Sequence, residues 1–402
     1  MTVGIWVRRG SRHESPELNG ICHFIEHAVF KGTERRSAHD IAIESDRLGG
    51  HLDAYTTHEL TGFAIKVADI GLPFAFDLLV DMLTHPRFDA TDLEREQKVI
   101  LEEIKMVEDT PDELLGELFN AAYFPAQPLG RPIEGTAETV PTFDRETTAA
   151  FHAREFSAGN CVIAAAGNVE HARLVEMAER AFASGHSNGN GHPKSTKVVV
   201  DLPRAAAPIL IEQKKDLEQA HLIIAAPWPS SLSEDRYAAS MLASVVGGGT
   251  SSRLWQKIRE DRGLAYSVGA GISTFSDIGV FTVYAGTSPS QLDEVLDIAL
   301  DELRNIVRES VPEAELQLVK DQAISSTLLG LESSSARAST LARQEIIHGR
   351  RISPDEMIRR LEAVTSEDLQ RVAREYLVTN KLALGALGNL NGFRVDRSRL
   401  EI

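Results

Sequence analysis

The sequence predicts an α+β protein of two similar domains, each a mostly antiparallel sheet with helices packed on one face. Three observations carry that prediction. Apolar strands and helix-period segments alternate irregularly, with strands adjacent in pairs, which is the α+β pattern and not the regular alternation of a parallel fold. Landmarks also recur at a near-constant offset. Ala153-Arg154-Glu155-Phe156 returns 220 residues later as Ala373-Arg374-Glu375-Tyr376, and Gly130-Arg131 returns 219 residues later as Gly349-Arg350. Each of the first pair runs into an apolar strand ending in Gly-Asn, CVIAAAGN and KLALGALGN. Two copies at this spacing read as a duplicated domain and not a solenoid. Finally, the segment from Ala183 to Thr196, ASGHSNGNGHPKST, breaks the pattern with Gly, Ser, Asn, His and Pro. It reads as a linker. The expected organisation is a domain over 1–183, a linker over 184–196 and a homologous domain over 197–402.

In chain order, VGIWV opens as a strand. Gly20–Thr33, GICHFIEHAVFKGT, places Ile21, Phe24, Ile25, Ala28 and Val29 at helical spacing. The strand GFAIKV precedes the helix PFAFDLLVDML, and Thr91–Glu108, TDLEREQKVILEEIKMVE, is an acidic helix with an apolar stripe. The second half repeats the strand-then-helix order in GVFTVYA and QLDEVLDIALDEL. Gly247-Gly248-Gly249-Thr250-Ser251-Ser252 lacks the spacing of a dinucleotide loop and the G-K-[ST] of a phosphate loop.

Composition narrows the partners. The 402 residues carry 42 Lys+Arg against 59 Asp+Glu, a net charge of −17. This argues against nucleic acid, because phosphate binding wants a basic face. It suits a basic or extended peptide drawn in by a negative field. No run reaches the ~18 apolar residues of a membrane span. Two cysteines, Cys22 and Cys161, exclude a disulfide framework and a cysteine-rich zinc cage. The opening MTVGIWVRRGSRHE does not follow the secretory pattern, so a cytoplasmic or similarly reducing location is expected.

The chemistry concentrates in one helix. His23 and His27 stand at i and i+4, so both imidazoles leave the same face about one turn apart, a geometry suited to one Zn²⁺. Glu26 lies beside them, where a carboxylate can take a proton from water. The pattern is H-x-x-E-H, the inverted zinc motif. A catalytic zinc wants a third protein ligand and an open position. The acidic helix offers Glu96 and Glu103, seven residues apart and near one face, as ligand and supporting group. Periodicity alone does not choose among its glutamates. Cys22, rotated ~100° from His23, should point away from the ions' side. His39, His51, His58 and His85 lack an i+4 partner and read as structural or surface residues.

These segments resemble the pitrilysin/insulinase metallopeptidases, in particular the branch of the mitochondrial processing peptidase and its bacterial relatives. The resemblance runs through GSRHE, HFIEHAVFKGTERRS, EREQKVILEEI and PLGRPIEGT, then GGGTSSRLWQKIREDRGLAYSV. It implies that the third ligand is the glutamate 76 residues after the second histidine, which is Glu103 and not its neighbour Glu102, and that Glu96 is the additional catalytic glutamate. It further implies substrate contacts from Arg259 and Tyr266, matching an R-x6-Y pattern whose guanidinium and phenol can hold a carbonyl or an oxyanion. Phe30 corresponds to an apolar pocket wall. Glu113 and Glu117, one turn apart, correspond to an acidic pair for a basic side chain. HLDAYTTHELTGFAIKV, with Ala54 in it, corresponds to an edge strand that pairs with extended substrate.

The expected activity is that of a zinc-dependent endopeptidase on unfolded or extended peptides, possessing a Zn²⁺ cofactor and acting as a homodimer. The alternatives are a non-catalytic scaffold or assembly subunit of the same family, and a catalytic subunit of a heterodimer.

Overall fold

The computed structural model describes residues 1–183, 202–390 and 392–402. The linker expected at 184–196 lies outside the described residues. The strands are β1 (Thr2–Val7), β2 (His51–Thr56), β3 (Thr61–Lys66), β4 (Cys161–Ala166), β5 (Ile209–Gln213), β6 (Ala220–Trp228), β7 (Ala265–Thr274), β8 (Gly279–Thr287) and β9 (Ala383–Gly388). The helices begin with α1 (Ile21–Ala28), α2 (Ala38–Arg47), α3 (Leu72–Thr84), α4 (Ala90–Asp109), α5 (Pro111–Tyr123), α6 (Arg145–Glu155) and α7 (His171–Ala183). They continue with α8 (Arg236–Gly247), α9 (Leu292–Arg308), α10 (Glu313–Gly330), α11 (Ser334–His348), α12 (Pro354–Glu362) and α13 (Ser366–Tyr376). Among the described residues no helix is long and apolar enough to cross a membrane.

The chain forms two compact units that are not linear halves. The first contains Met1–Val107, Arg131–Val200 and Leu329–Arg351; the second contains Glu108–Gly130, Asp201–Leu328 and Ile352–Ile402. Each half therefore lends one helix to the other unit: α5 belongs to the second and α11 to the first.

In the first unit the sheet order is β2-β3-β1-β4, with every pairing antiparallel. The period-2 rule sorts β1 cleanly. Val3, Ile5 and Val7 join Phe24, Ile25, Leu78 and Leu79 of α1 and α3 in the main core. Trp6 points the other way and meets Ala164, Ala166 and, from α11, Ala338 and Ala342. The α11 contact is also polar: Thr2 Oγ1 lies 2.8 Å from Ser334 Oγ. The segment HLDAYTTHELTGFAIKV is not one strand but the β2–β3 hairpin. Thr57 forces the turn, because its N–H donates to the Leu60 carbonyl at 2.8 Å and its hydroxyl oxygen accepts from the Leu60 N–H at 3.1 Å.

The second unit has the order β5-β9-β6-β8-β7, antiparallel except for the parallel pair β5–β9. Leu222, Ile224, Ala226 and Trp228 of β6 pack into a core with Met241, Leu242, Leu296 and Leu369 from α8, α9 and α13. Ile223 and Ala225 face the opposite side and meet Leu115 and Phe119 of α5. Each sheet thus carries its helices on one face and a single helix from the other half of the chain on its reverse.

Candidate metal centre

Helix α1 is held rigidly before it presents any chemistry. Ile21, Cys22, Phe24, Ile25 and Ala28 are all at most 1% exposed and anchor it in the core. Its start is pinned by the buried Glu14. One oxygen of that carboxylate accepts from the Gly20 N–H and the other from the Cys22 N–H, both at 2.8 Å. This places negative charge at a helix N-terminus, where the backbone dipole favours it. Burial nonetheless raises Glu14 to about 7, against those hydrogen bonds. Gly20 adopts φ +97°, a left-handed conformation that favours glycine. Cys22 is fully buried in the core, turned away from the histidines as its helical angle requires.

The polar face of α1 carries His23 and His27, ring centroids 4.6 Å apart and edge-on. Glu103 of α4 reaches the same place. Its Oε2 lies 4.0 Å from His23 Nε2 and 3.7 Å from His27 Nε2. One donor atom from each of the three lies within 4.8 Å of the others, the one such group among the described residues. Glu102, the rival on spacing, is turned outward and pairs with Lys105 at 2.7 Å. The donors fit a cation. They form a two-imidazole, one-carboxylate set, the type used by catalytic zinc with an open fourth position. The buried Nδ1 of His23 has no hydrogen-bond partner among the described residues, and Nε2 is the nitrogen that faces Glu103.

Around the donors the charges are graded. Burial, with His27 beside it, pulls His23 down to about 4 and keeps that ring neutral. Burial also works against charge on His27, but the Glu96 hydrogen bond and the nearby Glu103 and Glu26 outweigh it and raise its pKa. Glu96, 5% exposed, sits 3.3 Å from His27 Nδ1 and 2.7 Å from Lys31 Nζ. Burial opposes its ionisation, yet these two partners hold it below the usual carboxylate range. Such a carboxylate fixes which imidazole nitrogen carries the proton and leaves Nε2 as the free donor. Burial raises Glu26 above the usual range, helped by Glu103 and Asp53 and opposed by Thr56 and His27. A carboxylate with raised proton affinity is a competent proton acceptor.

Two participants were not legible from sequence. Thr56, the last residue of β2, donates from Oγ1 to Glu26 Oε2 at 2.6 Å. Lys31, just past α1, anchors Glu96. Of the remaining predicted residues, Phe30 is half-buried against the core and Ala54 sits on β2 opposite Phe63. Arg259, Tyr266, Glu113 and Glu117 belong to the second unit. There Arg259 lies on a π-helical turn, Trp255–Glu260, its guanidinium over the rings of Trp255 at 4.2 Å and Tyr266 at 4.5 Å. Its Nη1 donates to the Tyr266 carbonyl at 2.7 Å. A register shift between Ala265 and Ser267 turns Tyr266 outward, 79% exposed. Buried Glu302 ties the π-helical turn down through Lys257. Glu113 is exposed and Glu117 half-buried on α5.

Comparison with known proteins first defines a class. Residues 1–137 match the description "Insulinase (Peptidase family M16)" and residues 142–323 match "Peptidase M16 inactive domain". Two descriptions of the same peptidase family therefore follow one another along the chain. The chain belongs to this insulinase-type M16 peptidase family. It is 38% identical over 98% of its length to an uncharacterized zinc protease of Streptomyces coelicolor, covering 86% of that protein. It is 37% identical over 96% of its length to the uncharacterized zinc protease YmxG of Bacillus subtilis, covering 92% of it. Solved structures share the fold. A protease from Helicobacter pylori superimposes with a TM-score of 0.85 at 21% identity, over 96% of this chain and 94% of that one. A chain of Complex III2 from Candida albicans does so with 0.84 at 20%, over 100% and 94%.

Proposed function

We propose that this chain is a zinc-dependent endopeptidase acting on unfolded or extended peptides, in the manner of a processing peptidase. The observation that carries the reading is the convergence of His23, His27 and Glu103 beside a buried carboxylate, Glu26. The relatives named zinc proteases support the choice of metal. In this reading His23, His27 and Glu103 hold Zn²⁺. When bound, the ion acts as a Lewis acid that polarises the scissile carbonyl and lets water attack near neutral pH. Glu26 accepts the proton of the attacking water and delivers it to the leaving amine nitrogen. Glu96, braced by Lys31, keeps His27 oriented. Edge strand β2, with Ala54, pairs with the backbone of an extended substrate, and Phe30 walls a side-chain pocket. From the second unit, Arg259 and Tyr266 are assigned to the substrate carbonyl and the charge that develops on it, supported by their preformed stack. Glu113 and Glu117 are assigned to a basic substrate side chain. The working form is a homodimer in the cytoplasm; light scattering of the purified protein, and co-purification from the native source, separate it from a heterodimer.

The test is a cleavage-site profile on a mixed peptide library, with and without chelator and with Glu26→Gln in parallel. Cleavage that needs both metal and Glu26 supports the reading; cleavage retained by Glu26→Gln refutes the role of that residue. A second reading, a non-catalytic assembly subunit, draws on the fold likeness to a chain of Complex III2. It predicts no stoichiometric zinc after gentle purification.

A further inference from the structure

The two oxygens of Glu26 have different surroundings. Oε2 accepts the Thr56 hydroxyl at 2.6 Å, while Oε1 has no protein donor among the described residues. The donor is itself held in a stiff frame. Thr56 pairs with Thr61 across the hairpin, and their hydroxyls lie 3.4 Å apart. Thr61 is fully buried and donates to the Arg9 carbonyl at 2.9 Å. The hairpin turn is tied to the segment after β1 by Ser11 Oγ and His58 Nδ1 at 2.7 Å and by Arg12 and Glu59 at 2.8 Å. A hydroxyl mounted this way can act as a fixed stop for a carboxylate.

We propose that Thr56 is a positioning residue that locks Glu26 through Oε2, so that Oε1 is the oxygen that exchanges protons with water and leaving group. The proposal rests on the reading of Glu26 as the proton acceptor. Thr56 neither gains nor loses a proton in the cycle; its hydroxyl proton stays on Oγ1 while one proton passes from water to Oε1 and on to the amine nitrogen. A glutamate has three side-chain torsions, and one charge-assisted hydrogen bond selects among its orientations. Because Thr56 ends the edge strand β2, a peptide pairing with that strand would lie beside the residue that sets the base.

The experiment compares Thr56→Val, which keeps the shape and removes the hydroxyl, with Thr56→Ser, which keeps the hydroxyl. Thr56→Val should lower kcat by roughly 10–100-fold, the scale typical of lost outer-shell partners, with KM and zinc content near wild type. Thr56→Ser should recover most of kcat. Crystal structures of the metal-free proteins should show Glu26 in one position in wild type and Thr56→Ser, and displaced or split in Thr56→Val. Wild-type kcat in Thr56→Val, a change confined to KM, or equal losses in both variants would overturn the proposal. Should the wild-type protein cleave nothing, the peptidase reading falls, and the Glu26 position in the variants alone decides the role of Thr56.

Discussion

Helix α1 is the first α-helix after β1 and α8 the first after β6, and each packs into the core of its own unit. Their sequences differ in one respect that matters. ICHFIEHA carries two histidines and a glutamate on its polar face, whereas in RYAASMLASVVG the residues outside the core after Arg236 and Tyr237 are Ser240, Ser244 and Gly247. The later helices differ likewise: α4 presents Glu96 and Glu103, and α10 has no counterpart cluster among the described residues. The same architecture therefore stands with and without ionisable groups. The fold rests on the apolar faces, and the candidate metal centre is a set of about five side chains on one copy.

The largest way to break this contrast is at Glu26. Glu26→Gln should lower peptide turnover by roughly 10²–10⁴-fold, the range of a lost acid–base group, with metal retained. Ser244→Ala on α8 should leave turnover unchanged. Next in size, Glu96→Gln should weaken zinc affinity about 10–100-fold in a chelator competition, because His27 loses the group that orients it.

Acid should also separate the two units. His13, His58 and His152, all in the first unit, are each pulled by burial to about 4 from an ordinary 6.5. In that window the unfolded chain binds more protons than the folded one, so stability falls as pH drops from 6.5 toward 4. His23, also lowered to about 4, adds to them, while Glu14, raised to about 7, and Glu26 and His27, both raised, work in the opposite direction. The second unit has one histidine, His221, and burial lowers it as well. Hydrogen exchange on the metal-free protein should find first-unit amides losing protection at higher pH than second-unit amides. The smallest expected effect is Tyr123→Phe on α5. The phenol is buried and its hydroxyl has no hydrogen-bond partner among the described residues. Removing it should be neutral or stabilising by up to about 1 kcal/mol in urea unfolding.

How far the sequence reads depends on the range of the contact. His23, Glu26 and His27 lie within one helical turn, so their shared face was visible from spacing alone. Glu103 was reachable only through family resemblance, since periodicity could not separate it from Glu102; the difference is that Glu102 turns out to Lys105. Thr56 meets Glu26 across 30 residues through a hairpin turn, and no local pattern announces that. The exchange of α5 and α11 was hidden for a related reason. The stripe Leu115, Phe119, Tyr123 says that a face is buried, but apolar area is not directional and does not say which sheet covers it.

The account's central claim is a three-donor metal site in the first unit, and native mass spectrometry after zinc reconstitution tests it most directly. Wild type and Glu26→Gln should each carry one zinc per chain, and Glu103→Ala should carry none under the same conditions. Equal zinc in Glu103→Ala, or no zinc in wild type, would contradict it.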